Sequence, residues 1–525
     1  MSIRQFETAQ VKAPFLGKPH YPISGLDQLG LNLTSERIFD LLLPGLNNVT
    51  VRIRYYSFYC WFFDWYASQV RTTSRSKQNS YLRRAEFLLS LIAAHKELSG
   101  VPGITKALSI YAESDEIIDL TKGTQEGSKS EGSYWKNPRG VLGQYYISSI
   151  KQMGILGDQG DKEGLYVRTD FQHETKISGK QLADAFGLNI SNASHIFAKA
   201  IENNVVTKTE LELLSSEFNM LNIPNDSEEQ QLLWQLFSGV DRPKEKDETY
   251  FRKDTIKLLL SNVDVIDSET KYEQLSVPFS IYNNGWNKDY STSQKLWYFF
   301  IVEQFWSVSS TGCLDSFLKI LDEQSKNNWI DEIELVDHII SKVMELFQKD
   351  GFDEESDLFF ESTFTQESIQ ELVFLSKNEQ SPYIKIQYAL LAIQKLVIEN
   401  SASNAELLEI SNKFKIHTPS SFIVSYDDFK SRQDLTIKEF VRYFLTRNVI
   451  NRHHFVALRK LNATQNSAKF YREDGMIRLV DHFMYDYSSP RIHTLVDFMR
   501  DLSIIDTDST ALTQKGQEHL KMLAE

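Results

Sequence analysis

Residues 144–186 read QYYISSIKQMGILGDQGDKEGLYVRTDFQHETKISGKQLADAF, and this segment predicts two helices joined by a β-hairpin. The apolar side chains of residues 144–153 have the spacing of an amphipathic helix, which Gly154 ends. Two short apolar stretches flank a turn rich in Gly and Asp at 157–164, and a second helix begins near Gly179. This order of elements is that of a winged helix-turn-helix, in which the first helix lies in the major groove and the turn forms the wing.

The same order recurs at the C-terminus. Residues 490–502 have helical periodicity, 503–505 form a short apolar stretch, 506–509 form a turn, and Gly516 leads into a last helix. Helical periodicity also dominates the rest of the chain, most clearly at 81–98, where the apolar residues follow a spacing of three and four. We therefore predict a mainly α, multi-domain protein with two winged-helix-like modules.

An alternative register exists for the first module. Residues 182–196 have the small residue, the turn glycine (Gly187) and the apolar positions of a helix-turn-helix whose second helix starts at Ser191. The winged-helix register is favoured, although both registers predict the same broad function.

Breaks in composition predict the domain organisation. Residues 121–133 contain no apolar side chain and three glycines, which is typical of a loop that follows a complete domain. We expect four domains: an N-terminal helical domain (1–115), a winged-helix-like domain (135–205), a central helical domain with an acidic segment at 321–380 (206–415), and a basic, winged-helix-like C-terminal domain (416–525).

Charge is distributed unevenly along the 525 residues. The formal net charge is -14, which by itself disfavours a nucleic-acid partner. Residues 321–380, however, contain sixteen Asp or Glu against four Lys, so this acidic segment accounts for most of the negative charge. We expect it to face solvent or a basic partner and not nucleic acid, because it would repel phosphate.

A basic strip lies further along the chain, at 440–472, and contains no Asp or Glu. Clustered Lys and Arg are what phosphate contacts require, so the strip predicts a surface for double-stranded DNA beside the C-terminal module. A solvated helix face is the alternative interpretation. The predicted DNA-binding residues are Arg442, Arg447, Arg452, Arg459, Lys460, Lys469 and Arg472 in the strip, Arg491 and His493 in the C-terminal module, and Tyr145, Ser148, Ser149 and Lys151 in the first module.

Nine of the twelve residues in 55–66 are aromatic, with Arg52 and Arg54 just before them. Such a run could stack on bases over a cationic groove, but an all-round apolar helix normally belongs to a core, and we expect core here. Cys60 within the run is then a buried small hydrophobe.

With two cysteines and no apolar run long enough for a membrane span, the composition favours a reducing cytoplasm and no membrane contact.

The sequence contains no phosphate-cradling glycine motif, no dinucleotide fingerprint and no nucleophile elbow, so neither a cofactor nor a metal site is expected. One enzymatic alternative stays open. Asp481, His482, Asp486 and His493 could converge in space as the ligands of a metal-dependent nuclease.

Residues 44–50, PGLNNVT, followed by Arg52, Arg54 and the aromatic run, resemble the start of uncharacterised proteins from bacterial defence islands. The resemblance implies a component of an anti-phage or anti-plasmid system that works beside a separate nuclease or ATPase, and it carries over no catalytic residue. We therefore expect a non-enzymatic DNA-binding or scaffolding subunit of a multi-protein complex. The alternatives are a metal-dependent nuclease and a pure protein-interaction module.

Overall fold

The structure, a computed structural model, describes residues 27–124, 137–170, 177–239, 251–266, 275–361, 365–461, 467–507 and 511–524. It is mainly α, which confirms the predicted fold class. The α-helices are α1 Leu33–Leu42, α2 Arg54–Trp65, α3 Arg75–His95, α4 Ile104–Glu113, α5 Thr121–Thr124, α6 Ile147–Gln152, α7 Gly179–Asn189, α8 Ser194–Asn203, α9 Lys208–Ser215, α10 Glu228–Ser238, α11 Arg252–Ser261, α12 Ser276–Asn283, α13 Thr292–Ser325, α14 Glu332–Lys349, α15 Ile369–Asn378, α16 Pro382–Glu399, α17 Asn404–Phe414, α18 Phe422–Lys430, α19 Ile437–Phe444, α20 Arg452–Lys460, α21 Ile492–Asp501 and α22 Gln514–Ala524.

The remaining regular elements are short. Within the described ranges, the π-helical segments are Tyr66–Val70, Leu142–Tyr146 and Leu445–Asn451, and a 3-10 turn is Val263–Val265. The strands are β1 Ile117–Asp119, β2 Leu156–Gln159, β3 Lys162–Arg168, β4 Val205–Thr207, β5 Ile330–Asp331, β6 Phe470–Glu473 and β7 Met476–Leu479. β1 pairs with β4, β2 with β3, and β7 lies between β5 and β6, all antiparallel. Among the described residues, no helix combines the length and the apolar character that a membrane crossing requires.

Contacts divide the chain into two compact units. We call residues 39–280 with 489–525 the aromatic unit, and the part up to residue 38 with 281–488 the long-helix unit. The four predicted domains, each a continuous stretch of chain, stay a prediction. Of the predicted loop at 121–133, residues 121–124 form α5 and the others lie outside the described residues.

The core of the aromatic unit is built on α2. Its side chains from Tyr55 to Phe63 are all buried, Tyr66 is buried and Trp65 is half-buried, so every ring of the aromatic run except that of Trp65 belongs to the core. The Trp61 ring, 9% exposed, lies 5.7 Å from Phe186 and from Phe218, measured between ring centroids. Cys60 is also buried, and this burial raises the pKa of its thiol well above the usual range, so the thiol stays protonated.

Both predicted helix–hairpin–helix segments are present in the aromatic unit. In the first, the β2–β3 hairpin connects α6 to α7. In the second, one bridge between Ile505 and Leu512 connects α21 to α22, and residues 508 and 509 of the predicted turn lie outside the described residues. The assignment of these segments as winged helices stays a prediction.

The alternative helix-turn-helix register also has its two helices. They are α7 and α8, joined through residues 190–193, and the second begins at Ser194, not at Ser191. Ser178 starts α7 as a capping box with Gln181, because each side chain binds the other residue's backbone N–H.

The long-helix unit is organised around α13, a helix of 34 residues. Ser291 and Gln294 form its capping box, and nearly every side chain between Leu296 and Leu321 is buried. A helix that is buried on almost all sides is surrounded by other elements. α16 packs against it, and β7 brings the three-stranded sheet to it.

Candidate nucleic-acid interface

One helical run carries most of the predicted basic strip. α19, the π-helical segment Leu445–Asn451 and α20 follow one another without a break. Thr436 and Glu439 start the run as a capping box. Through α19 the buried side chains keep the spacing of a core-facing stripe, namely Ile437, Phe440, Val441 and Phe444.

The π-helical segment rotates this buried stripe by one residue. Continued at the α-helical spacing, the stripe would include residues 452, 455 and 459. The side chains that are buried in α20 are instead His453, Val456 and Ala457. A π turn holds one residue more than an α turn, and such turns occur frequently at functional sites. Residues 452, 455 and 459 are thereby turned towards the surface, where Phe455 is 54% exposed.

The rotated face lines a cleft of about 300 Å³ in the long-helix unit. The helical run contributes Arg447, Asn448, Asn451, Arg452 and Phe455, and the facing segment contributes Pro419, Val424, Ser425 and Asp428. We call this the Arg447–Arg452 cleft. It brings two of the predicted DNA-binding residues to one concave surface.

Asp428 binds three donors at one side of the cleft. Arg447 Nη1 lies 3.2 Å and Arg432 Nη2 lies 3.3 Å from its Oδ1, and the Tyr443 hydroxyl donates to Oδ2. Burial raises the pKa of Tyr443, so its hydroxyl is protonated at neutral pH. Two guanidinium groups share one carboxylate, and this side of the cleft therefore keeps a net positive charge.

The other side of the cleft contains Arg452 and Asn448. Arg452 Nε donates to the carbonyl oxygen of Leu29 at 2.6 Å, which fixes the guanidinium group. Asn448 is 9% exposed, and its side-chain nitrogen has no hydrogen-bond partner within the described part of the chain. A buried donor without a partner costs about 1 to 3 kcal/mol of folding free energy. Asn448 also lines the cleft, so this unsatisfied donor lies in the cleft wall.

Phe455 and Arg459 extend the cleft surface by one turn. The Arg459 guanidinium lies 5.3 Å from the centroid of the Phe455 ring. The cleft therefore combines cations, an amide donor and an exposed aromatic ring. These groups bind phosphate oxygens and stack on bases in nucleic-acid-binding proteins.

The four remaining cations of the strip also have partners within the long-helix unit. Three of them pair with carboxylates: Arg442 Nη1 with Asp337 Oδ1 at 2.6 Å, Arg472 Nε with Glu332 Oε2 at 2.6 Å, and Lys469 Nζ with Asp481 Oδ2 at 2.8 Å. The Lys460 ammonium donates to the carbonyl oxygen of Asp27, and burial lowers the pKa of Lys460.

Two of these carboxylates, Glu332 and Asp337, belong to α14 in the acidic segment 321–380. The predicted basic partner of that segment is therefore supplied in part by the strip of the same chain. These neighbouring carboxylates offset the electrostatic repulsion among the seven cations of the strip. The clustering of cations is therefore, by itself, weaker evidence for DNA binding than it is in the sequence alone.

The predicted residues of the first module lie in the aromatic unit, on the π-helical segment Leu142–Tyr146 and on α6. Ser148 is exposed and Tyr145 is half-buried. Ser149 is 2% exposed, and its hydroxyl lies 2.5 Å from the Tyr56 hydroxyl. Lys151 is exposed and pairs with Asp158. Ser148 and Lys151 are thus the members of this set that lie at the surface of the unit.

The two predicted residues of the C-terminal module lie at the start of α21. Arg491 pairs with Asp40 at 2.7 Å and lies 4.5 Å above the ring of Phe39. A ring nitrogen of His493 lies 3.2 Å from the Ser489 hydroxyl. Both side chains are therefore engaged within the aromatic unit.

Three of the four candidate metal ligands are paired with other side chains. In the long-helix unit, Asp481 pairs with Lys469, His482 with Asp322, and Asp486 with Lys377. Across the residues that the structure describes, no group of three His, Cys, Asp or Glu side chains is arranged to hold a metal ion.

Three residues of the cleft surface are not among those predicted from the sequence: Asn448, Phe455 and Asp428. Asn448 carries the one signal that could have revealed the cleft, because it is a polar residue where the stripe of α19 demands an apolar one. Asp428 lies outside the strip in sequence, and Phe455 would be buried if the helix were α-helical throughout.

We compared the chain with family models, with curated proteins and with solved structures, and found no match in any of the three.

Proposed function

We propose that this protein is a non-enzymatic subunit of a multi-protein complex and that it binds the phosphate backbone of double-stranded DNA through the Arg447–Arg452 cleft. The observation that carries the proposal is the π-helical segment, which places two arginines in the walls of one cleft together with Asn448, whose side-chain nitrogen has no partner among the described residues. Phosphate contacts of this kind provide affinity and position without sequence preference. The expected assembly is one that also contains a nuclease or an ATPase.

The test is duplex affinity measured against salt concentration. The double variant Arg447→Gln, Arg452→Gln removes two cations, and each lost phosphate contact lowers the slope of log affinity against log salt by about 0.9. All duplex sequences should be weakened alike. The matched control is Lys342→Gln with Lys349→Gln, which removes two exposed cations from α14 in the acidic segment.

Equal affinities and equal slopes for the wild type and the Arg447→Gln, Arg452→Gln variant would refute the proposal. Arg442→Gln separates the cleft from the strip as a whole, because Arg442 belongs to the strip but is not one of the residues that line the cleft. If the cleft is the site, Arg442→Gln should leave the salt slope within error of the wild type.

A second candidate function is a scaffold that binds another protein. It is favoured by the exposed apolar side chains on and after α20: Phe455 (54% exposed), Leu458 (49%) and Leu461 (57%). Apolar side chains gathered on one surface are typical of protein interfaces. Leu458→Ser should then abolish co-purification with a nuclease or ATPase subunit and leave duplex affinity unchanged. The Arg447→Gln, Arg452→Gln variant should weaken duplex affinity and leave co-purification unchanged.

A further inference from the structure

A larger cleft, of about 670 Å³, lies in the aromatic unit and is independent of the proposed DNA surface. Its walls are α10, residues 502–504 and α22. A volume of this size is typical of sites that hold a small organic molecule.

Two aromatic rings in contact form one wall of this cleft. The centroids of the Trp234 and His519 rings are 4.4 Å apart, with an angle of 33° between the ring planes. Trp234 is 5% exposed and fixed in the core, whereas His519 is half-buried. The Nδ1 atom of His519 is buried and has no hydrogen-bond partner among the residues described. Burial also lowers the pKa of His519, so the ring is neutral at pH 7 and offers one donor and one acceptor nitrogen.

Ser503 lies on the same cleft in a conformation that favours glycine. Its φ angle is 58°, and the corresponding residue of the first helix–hairpin–helix segment is Gly154, with φ 76°. A serine in the left-handed region is strained, and strained residues of this kind cluster at ligand sites. The Ser503 hydroxyl donates to the side-chain oxygen of Asn225, also on the cleft, at 3.3 Å.

The charges on the cleft disfavour an anion. Lys515 Nζ is 3.0 Å from Asp226 Oδ1 and also donates to Gln230, whose side chain is 2% exposed. Glu518 adds a second carboxylate. With one ammonium group and two carboxylates, the cleft has a net negative charge, and a phosphorylated ligand would be repelled.

We infer that this cleft binds an uncharged heteroaromatic molecule of nucleoside size, whose ring packs beside the imidazole of His519 and forms a hydrogen bond with Nδ1. The volume admits such a molecule, the tilted pair of rings provides the contact surface, and the buried nitrogen provides the polar anchor. The two carboxylates select the neutral nucleoside over its phosphate esters.

Equilibrium dialysis of the full chain against the four ribonucleosides and their 5′-monophosphates tests the inference. At least one nucleoside should bind saturably, and its monophosphate should bind more weakly. His519→Phe keeps an aromatic ring but removes the nitrogen, and it should weaken binding about 10-fold, as expected for one hydrogen bond. His195→Phe, at an exposed position on α8, is the matched control and should bind like the wild type.

Met522→Trp provides a second variant in case His519→Phe does not fold. Met522 is 46% exposed and lies on the cleft, so a larger side chain can fill the cleft without entering the core. This variant should lose nucleoside binding while its thermal midpoint is unchanged. The inference is overturned if no nucleoside binds, if the monophosphates bind more tightly, or if a folded His519→Phe or Met522→Trp protein binds as well as the wild type.

Discussion

Gly179 and Gly516 occupy equivalent positions in the two helix–hairpin–helix segments. A Cβ atom added to Gly179 would lie 2.1 Å from the carbonyl oxygen of Ile155, and one added to Gly516 would lie 2.2 Å from that of Ile504. Each glycine lies in the first turn of its helix, which therefore passes directly over the backbone that precedes the hairpin. The recurrence seen in the sequence thus extends to atomic contacts.

We expect Gly179→Ala and Gly516→Ala each to destabilise the protein. Alanine has the better helix propensity by about 1 kcal/mol, but a backbone carbonyl cannot move aside as a flexible side chain can. The net loss should be about 1 to 3 kcal/mol in urea unfolding. Gly157→Ala, in β2, is the control, because no atom lies within 4 Å of its added Cβ. An unchanged midpoint for Gly516→Ala would contradict the close approach.

The two segments could be predicted from sequence because their pattern is local. Apolar spacing, a turn-rich hairpin and a glycine before the second helix all lie within about forty residues. The hydrogen bond from the Thr169 amide to the Ile155 oxygen, 3.0 Å, recurs as Thr513 to Ile504, 3.1 Å. The two compact units could not be predicted, because each joins segments that are distant in the chain.

Trp61→Ala should be among the more destabilising single substitutions in the aromatic unit. The indole packs against the rings of Phe58, Phe186, Phe197 and Phe218 and leaves a large cavity when removed. The expected loss is about 3 to 5 kcal/mol in chemical unfolding. Leu188→Ala, where the side chain is 67% exposed, should cost less than about 0.5 kcal/mol. Equal stability of Trp61→Ala and wild type would indicate an exposed stacking surface.

Glu86 should make the folded protein less stable as the pH rises. Burial raises the pKa of this carboxyl from 4.5 to about 8, although Tyr59 and the amides of Val141 and Leu142 donate to it. The folded protein therefore holds a proton that the unfolded chain releases above pH 4.5. The stabilisation is complete below that pH and is lost as the pH approaches 8, by at most about 1.4 kcal/mol per pH unit.

Glu86→Gln keeps the shape of this side chain but cannot ionise. Its free energy of unfolding, measured by urea titration between pH 5 and pH 8, should decline less steeply than that of the wild type. Glu202→Gln, at an exposed position of α8, is the control and should follow the wild-type curve. Parallel curves for Glu86→Gln and wild type would show that Glu86 does not titrate in this range.

The Arg447–Arg452 cleft could be predicted only in part. Sequence identified its arginines, since a run of cations without acids is visible in the chain itself. It could not identify Asp428, which meets Arg447 only through tertiary packing. It also could not identify the π-helical segment, because one additional residue in a turn leaves the apolar spacing on either side nearly unchanged.

Asn448→Leu should make the protein more stable and weaken its binding of DNA. The substitution replaces a buried, unpaired donor with an apolar side chain of similar size, which removes a desolvation cost of about 1 to 3 kcal/mol. Leucine cannot donate to a phosphate oxygen, so duplex affinity should fall. The slope of log affinity against log salt should stay unchanged, because the arginines determine it. Residues retained for function at a cost in stability behave in this way.

Gln394→Leu is the matched control for Asn448→Leu. Gln394 is 1% exposed, but its side-chain nitrogen donates to the carbonyl oxygen of Phe359. Removing this amide takes a hydrogen bond away from that buried carbonyl, so this variant should be less stable than the wild type by about 1 to 3 kcal/mol and should bind DNA normally once folded. If Asn448→Leu instead lost stability and bound duplex DNA with wild-type affinity, the Asn448 amide would be a structural group and not a phosphate ligand.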